Sequence, residues 1–390
     1  VAFSPDSRVL VSASLDRTAR VWATQRREEP RRLTGHSKPV AEAVFSSDGR
    51  YLVSGSIDRT VHLWETAAID DPVGERRSAV RIWRGHDGAV STVAISRDGG
   101  RVVSGAFDNT VRVWRRDDRG QPLVLRGHEK QVLSVTFSPD EGAVLSASGD
   151  GTARVWPLGD GGAGALGEPL ILRGHSDDVN AARFSPDGRR IVTASNDSTI
   201  RVWPADGSGS PIILSGHEGP VKAVQFSPDG RRVISGGNDY TVRSWPADGR
   251  GPSWRLGQHD GLVWSVAVSA DGRRVASSSM DRTVRIWSTE RPSLTGESRP
   301  ILVLTPSKMA LSLAFDPSGR RLVMSSYPDH DVRVWTDLEP FLPDDARLWH
   351  ATTFCISSDQ RRALLGVDEA TARRDHAACR ERVIRQPIGD

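Results

Sequence analysis

The chain has 390 residues, and its 52 basic and 49 acidic side chains leave a formal net charge of +3, spread along the chain, which argues against a nucleic-acid partner. Its two cysteines, Cys355 and Cys379, fall near the end of the chain, which excludes a disulfide framework for the rest of it and favours a reducing, cytoplasmic location. No apolar run has the length of a membrane span, so we expect no membrane partner.

An internal repeat organises most of the sequence. A His is followed 22 residues later by an Asp, and a Trp stands six residues after that Asp. The complete units are His36, Asp58 and Trp64; His86, Asp108 and Trp114; His128, Asp150 and Trp156; His175, Asp197 and Trp203; His217, Asp239 and Trp245; and His259, Asp281 and Trp287. Partial units with Asp16 and Trp22, and with Asp329 and Trp335, bring the number of repeats to eight.

Each repeat contains short runs in which apolar and polar residues alternate. Val221 to Phe226, Arg232 to Ser235 and Val242 to Trp245 are examples, and a Ser-Pro-Asp-Gly turn at 227–230 separates the first two. Such runs predict short β-strands joined by tight turns. The fold class is therefore all-β.

A hydroxyl residue stands four positions before every repeat Asp, as Ser146 does before Asp150. We expect the Asp to accept a hydrogen bond from the His, the His to contact the hydroxyl, and the hydroxyl to accept from the indole N–H of the Trp. Buried polar groups need partners of this kind. The repeated His and Asp residues are therefore interpreted as structural, and neither as catalytic groups nor as metal ligands.

The Gly-His pair, present in five of the six complete units, together with the Trp resembles the signature of WD repeats. The resemblance covers residues 1 to about 336 and implies a β-propeller with four strands in each blade. Two closures of the ring remain open. Either eight blades form one ring whose last outer strand lies upstream of Val1, or the strand near 31–33 closes a ring of seven and residues 1–22 belong to another propeller. Eight blades are favoured, because expelling three amphipathic strands would expose their core faces.

Residues 337–390 are expected to form a separate tail with two short helices, at 359–365 and 369–383. The tail resembles that of bacterial multidomain signalling proteins in which WD repeats follow a nucleotide-binding module. The residues that carry this resemblance are Leu348, Thr352, Thr353, Cys355, Arg361, Leu365 and Cys379. Because the chain begins with Val1 in the middle of a repeat, an upstream effector domain is expected in the native protein.

Catalysis finds little support outside the repeated residues. His62, His330, His350 and His376 are scattered without metal-ligand spacing, and no nucleophile motif occurs. We therefore expect no catalytic residues, no metal and no cofactor. The alternative is a propeller-type hydrolase or metal-dependent enzyme that uses the central channel.

Positions that vary between repeats are the candidates for partner binding. Two kinds of position are considered: the residue just before the repeat Asp, and the residues three and five positions after the repeat His. Apolar side chains at these positions are grouped in the repeats at the two ends of the chain. The predicted binding residues are Leu15, Ile57, Phe107, Leu133, Leu262, Trp264 and Met280, and Pro328 stands in the same row. With Trp264 and Phe107 as anchors, they predict a scaffold or sensor that binds a protein or peptide. Alternatively, they fold into the channel mouth or against neighbouring loops.

Overall fold

The computed structural model of the chain describes residues 2–3, 9–13, 18–23, 31–38, 40–46, 50–65, 79–117, 120–159, 167–289, 300–304, 309–315, 322–327 and 332–335. The chain divides into two units, Val1–Leu338 and Glu339–Asp390, and all the described residues lie in the first. The tail helices predicted at 359–365 and 369–383 therefore lie outside the described residues.

Within the described residues the secondary structure consists of β-strands, and no residue is helical. Thirty-one strands form seven four-stranded sheets and one three-stranded sheet. We number the sheets in chain order. In each sheet the strands pair antiparallel in the order in which they occur along the chain. No helix of the described residues could cross a bilayer.

The first four sheets have the following strands. Sheet 1 contains β1 (Ala2–Phe3), β2 (Val9–Ala13), β3 (Thr18–Ala23) and β4 (Arg31–Thr34). Sheet 2 contains β5 (Val40–Phe45), β6 (Tyr51–Ser56), β7 (Thr60–Glu65) and β8 (Arg81–Arg84). Sheet 3 contains β9 (Val90–Ile95), β10 (Arg101–Ala106), β11 (Val111–Arg115) and β12 (Leu123–Leu125). Sheet 4 contains β13 (Val132–Phe137), β14 (Ala143–Ser148), β15 (Ala153–Pro157) and β16 (Leu170–Leu172).

The remaining four sheets continue the pattern. Sheet 5 contains β17 (Val179–Phe184), β18 (Arg190–Ser195), β19 (Ile200–Pro204) and β20 (Ile212–Leu214). Sheet 6 contains β21 (Val221–Phe226), β22 (Arg232–Gly237), β23 (Thr241–Pro246) and β24 (Trp254–Gln258). Sheet 7 contains β25 (Val263–Val268), β26 (Arg274–Ser279), β27 (Val284–Ser288) and β28 (Leu302–Leu304). Sheet 8 contains β29 (Met309–Phe315), β30 (Leu322–Tyr327) and β31 (Val332–Trp335).

The hydrophobic core lies between successive sheets. In the second strand of sheets 2 to 7 every residue after the first is buried, so that strand is covered on both faces. Between sheets 5 and 6, for example, Val192 and Leu214 belong to one cluster with Val224 and Trp245. Burial on both faces explains why these strands combine β-branched residues with the small residues Ser, Gly and Ala.

The sheets follow one another in space as they do in the sequence. The first two strands of each sheet contact the first strand of the next sheet. The strand at 31–34, on which the two predicted ring closures differ, pairs with β3 through Thr18 and Thr34 and so completes sheet 1. In addition, β1 of sheet 1 contacts β29 of sheet 8.

Candidate functional site

The loop before the first strand and the turn between the second and third strands lie at the same end of each sheet. In sheet 3 the amide of Phe107 donates to the carbonyl of Ala89 at 2.9 Å, and in sheet 7 the amide of Met280 donates to the carbonyl of Leu262 at 3.0 Å. We call this end of the sheets, which carries the repeat His and Asp residues, the loop end. In these sheets a main-chain hydrogen bond thus ties the turn to the adjacent loop.

A hydrogen-bonded chain of four side chains runs through each complete repeat. In sheet 4, His128 Nδ1 lies 2.8 Å from Asp150 Oδ2, and His128 Nε2 lies 2.8 Å from Ser146 Oγ. The indole of Trp156 donates to the same Ser146 Oγ at 2.8 Å. In the six complete repeats the His–Asp distances are 2.8–3.0 Å and the distances from His Nε2 to the hydroxyl are 2.7–2.9 Å. The network predicted from the spacing is confirmed.

The direction of these hydrogen bonds follows from donor chemistry. An ionised carboxylate only accepts, so a neutral imidazole must donate to the Asp from Nδ1 and accept at Nε2. The hydroxyl therefore accepts from the indole N–H and donates its own proton to His Nε2. Nε2 is then unprotonated, the proton sits on Nδ1, and Nδ1–H donates to the Asp carboxylate. Both imidazole nitrogens are engaged inside the sheet. Such a ring is neither a free base nor a free ligand.

In the complete repeats a Thr two residues after the Asp also belongs to the network, although it was not predicted from the spacing. In sheet 4, Thr152 donates to Asp150 Oδ1 through its hydroxyl at 2.6 Å and through its amide at 2.9 Å. The amide of Glu129 donates to Asp150 Oδ2 at 3.0 Å. With His128, Asp150 therefore accepts four hydrogen bonds. The signal was available, because Thr stands at this position in all six complete repeats: Thr60, Thr110, Thr152, Thr199, Thr241 and Thr283.

The network alters the pKa values of its members. Burial raises the pKa of the Asp150 carboxyl, but hydrogen bonds from His128, Thr152 and Glu129 outweigh burial and hold that pKa well below its usual range. Burial lowers the pKa of His128, although the hydrogen bond to Asp150 opposes it. Burial likewise lowers the pKa values of His175 and His259. The network thus combines a charged carboxylate with a neutral imidazole.

The depressed imidazole pKa values predict acid destabilisation. The unfolded chain protonates these rings near their ordinary pKa of 6.5, whereas the folded protein keeps His128, His175 and His259 neutral to lower pH. Because the unfolded state then binds more protons, stability falls as the pH drops below about 6.5. We expect the melting temperature to stay level between about pH 8 and pH 7 and to fall between about pH 6.5 and pH 5. A melting temperature that stays constant or rises over the lower interval would contradict this.

Sheet 2 differs from its neighbours at one buried position. Two residues before the repeat Trp, sheets 3 to 7 carry an Arg, and sheet 2 carries His62. His62 is 2% exposed and stacks on His36, with ring centroids 3.6 Å apart and planes 20° apart. Burial, followed by the proximity of His36, lowers the pKa of His62 to about 3. His62 carries no metal-ligand spacing in the sequence, but its position two residues before the repeat Trp, where the next five repeats have Arg, distinguishes it.

The predicted binding residues at the loop end divide into two groups. Ile57, Phe107, Trp264 and Met280 are between 40% and 57% exposed. Leu133 and Leu262 are half-buried. The Leu262–Met280 main-chain hydrogen bond brings these two positions together in sheet 7. Leu15 and Pro328 lie outside the described residues.

Polar side chains at the equivalent positions of sheets 5 and 6 are bonded to one another. Asn180 Nδ2 donates to Asn196 Oδ1 at 2.8 Å and to the carbonyl of Val221 at 2.8 Å. Lys222 Nζ donates to the same Asn196 oxygen at 2.7 Å. Asn196, which stands just before the repeat Asp of sheet 5, thus lies beside Lys222, which stands five residues after the repeat His that precedes sheet 6. By this equivalence we expect Phe107 of sheet 3 beside Leu133 of sheet 4.

Eight consecutive antiparallel sheets, six of which carry the full set of His, Asp, hydroxyl and Trp, define the WD-repeat class. The chain belongs to the family described as "WD domain, G-beta repeat" (WD40), whose model matches residues 1–23, 27–65, 77–115, 120–157, 168–204, 210–246, 251–288 and 298–336. The predicted family and the count of eight repeats are confirmed. The repeats of this family form β-propellers, are typically non-catalytic, and generally mediate protein–protein interactions. A comparison with curated proteins found no match.

Proposed function

We propose that this chain is a non-catalytic scaffold or sensor that binds a protein or peptide through exposed apolar side chains at its loop end. Ile57, Phe107, Trp264 and Met280 carry the proposal, since large apolar side chains with this exposure gain from burial against a partner. Aromatic anchors among them are typical of binding hot spots. We call these four residues the apolar arc.

The arc is continuous only if the sheets close into a ring of eight blades, and this closure is part of the proposal. The contact between β1 and β29 supports it, as does the pairing of β4 with β3, which keeps residues 2–34 in one sheet. In such a ring sheets 7, 8, 1, 2 and 3 are consecutive. Sheet 7 with Trp264 and Met280, and sheet 3 with Phe107, then stand at the two ends of a half ring that also carries Ile57. The hydrogen-bonded Asn180, Asn196 and Lys222 belong to sheets 5 and 6 of the other half.

The enzyme alternative has less support. The network imidazoles use both nitrogens within their sheets, so they cannot act as general bases toward a substrate. A cavity among sheets 4, 5 and 6 is lined by residues that include Thr136, Arg183 and Gln225, and its lining contains no carboxylate and no imidazole. Arg183 could hold an anion there, but the lining supplies no acid–base pair.

The wider setting of the protein stays a prediction from the sequence. We propose a cytoplasmic location and a place in the carboxy-terminal part of a larger bacterial signalling protein, with an effector domain upstream. The resemblance of residues 337–390 to the tail of such proteins supports it. Sequencing the coding region upstream of Val1 tests it, and a stop codon directly before this repeat would contradict it.

Peptide selection tests the binding proposal. Random peptides displayed on phage are selected against the full chain, and the affinity of selected peptides is measured by fluorescence polarisation. We expect peptides with apolar anchors that compete for one site. Phe107→Ala and Trp264→Ala should each weaken binding by about ten-fold or more, as loss of a hot-spot anchor does.

Ile213→Ala is the matched control, because Ile213 is 52% exposed but lies on the outer strand β20. This variant should bind the same peptides as tightly as the unaltered chain. If the selected peptides bind the Phe107→Ala and Trp264→Ala variants with unchanged affinity, the apolar arc is not the binding surface.

A further inference from the structure

Sheet 2 lacks a positive charge that its neighbours place beside the repeat Asp. In sheets 3, 6 and 7 the guanidinium groups of Arg112, Arg243 and Arg285 lie 3.4–4.0 Å from the Asp four residues earlier. His62 occupies this position in sheet 2. Asp58 therefore has no guanidinium from its own third strand, although its carboxylate has the same hydrogen bonds from His36, Ser37 and Thr60 as its counterparts have.

The His62 imidazole also leaves a buried nitrogen without a partner. His62 Nδ1 is enclosed and has no hydrogen bond. A buried nitrogen of this kind costs free energy unless it finds a donor or a ligand. The ring is closely surrounded, since it packs against His36 and Trp64 and a Cβ built on Gly35 would lie 3.4 Å from Nδ1.

His62 belongs to a set of metal-ligating residues. One ligand atom from each of His36, Asp58 and His62 lies within 4.8 Å of the others. Two imidazole nitrogens and a carboxylate oxygen are a donor set that suits Zn²⁺ and similar divalent transition-metal ions. We propose that His36, Asp58 and His62 form a binding site for a divalent transition-metal ion, which supplies the positive charge that Arg supplies in the other sheets.

Binding requires two local rearrangements. The stacked rings of His36 and His62 are nearly parallel, and an ion must lie close to the plane of each imidazole that ligates it. The His62 ring therefore turns about its Cβ–Cγ bond to direct Nδ1 toward Asp58. His36 changes tautomer, so that Nδ1 offers its lone pair to the ion and Nε2–H donates to Ser54 Oγ, now 2.9 Å away. The Ser54 oxygen has a second lone pair for this bond besides the one that accepts from Trp64.

This proposal departs from the sequence-based expectation that the chain binds no metal. The other five networks lack the second imidazole, so the proposal concerns sheet 2 alone among the described sheets with complete networks. Three protein ligands leave room for water or for an external ligand in the fourth position of a tetrahedral ion. Ser54, itself hydrogen-bonded to Trp64, would orient the His36 ring through Nε2, as outer-shell partners of metal-bound histidines do.

Zinc titration of the full, tag-free chain tests the site. Metal-free protein is titrated with ZnCl₂ in a calorimeter, and its melting temperature is measured with and without Zn²⁺. His62→Arg is the decisive variant, because it installs the residue that the five following sheets carry at this position and should fold. We expect it to bind one Zn²⁺ fewer than the unaltered chain and to lose the corresponding rise in melting temperature. His62→Gln, which keeps a polar side chain of similar size, should lose the same equivalent.

Arg154→His is the complementary variant. Sheet 4 has the same network around His128 and Asp150, so this substitution should create a second site and add one equivalent of Zn²⁺. Each variant is compared with the unaltered chain by the number of Zn²⁺ ions bound per chain. Zinc bound by any other residues is the same in both and cancels in the difference. If His62→Arg and His62→Gln both bind as much Zn²⁺ as the unaltered chain, with the same affinity, the proposed site does not exist.

Discussion

Asp150→Ala should lower the free energy of unfolding by about 3 kcal/mol, because it removes the charged acceptor of several hydrogen bonds and leaves a buried donor unsatisfied. Asp150 accepts hydrogen bonds from His128 Nδ1, from the amides of Glu129 and Thr152, and from the Thr152 hydroxyl. Its removal leaves four donors without their acceptor, and the His128 ring is buried. Urea denaturation followed by circular dichroism measures the effect.

Asp140→Ala is the matched control within the same sheet. Asp140 also sits in a turn and accepts hydrogen bonds from Ser138 Oγ at 2.5 Å and from the amide of Gly142 at 3.0 Å, but it is exposed to solvent. Water replaces its bonds, so the expected loss is about 1 kcal/mol or less. Equal losses for the two variants would show that the His network adds nothing beyond ordinary turn hydrogen bonds.

Gly257→Ala should destabilise the protein by about 2 to 3 kcal/mol through overpacking. A Cβ at position 257 would lie 1.9 Å from Cζ3 of Trp287 in the next sheet. Trp287 is fully buried, and its indole N–H is held by Ser277 Oγ at 2.8 Å, so the ring cannot move away without breaking that bond. Thermal and urea denaturation of the variant measure the loss.

Gly219→Ala is the control for this substitution. A Cβ at position 219 would meet its nearest atoms at 3.5 Å, which is ordinary van der Waals contact. We expect a change within about 0.5 kcal/mol. A Gly257→Ala variant as stable as the Gly219→Ala variant would mean that sheets 6 and 7 are not packed as closely as described.

Gly257 also explains the one repeat that breaks the Gly-His rule. In sheet 6 the register between β23 and β24 shifts between Val242 and Arg243. This irregularity moves the glycine one position earlier, so that Gly257 faces Trp287 and Gln258 precedes the repeat His. Glycine residues before the other repeat His residues face the repeat Trp of their own unit, as Gly127 faces Trp156. The sequence showed the exception, but the register shift that causes it depends on pairing between strands.

The sequence predicted the frame of the protein well, because the frame depends on spacing. Fixed intervals between His, Asp and Trp determine which side chains meet inside a sheet, and all six networks formed as the spacing required. His62 was missed because its contact with His36 follows from its register beside Ser54 and not from a local ligand motif.

The exposure of the predicted binding residues could not be read from the sequence. Phe107 and Leu133 occupy different positions of neighbouring repeats, and one is exposed while the other is half-buried. Exposure at the loop end depends on the side chain that the adjacent sheet places beside each residue, as the Asn196–Lys222 pair illustrates. A repeat pattern gives the position of a side chain within its sheet but not its neighbour across sheets.

The protonation of the network imidazoles tests the central claim, that these histidines stabilise the sheets and perform no chemistry. Nitrogen-15 NMR of the imidazoles of His128, His175 and His259 in the metal-free protein distinguishes the two neutral tautomers and the cation. We expect each ring to be neutral at pH 7, with its proton on Nδ1, and to remain so as the pH falls through 6.5, the ordinary imidazole pKa. Rings that carry the proton on Nε2, or that become charged near pH 6.5 as solvent-exposed histidines do, would contradict it.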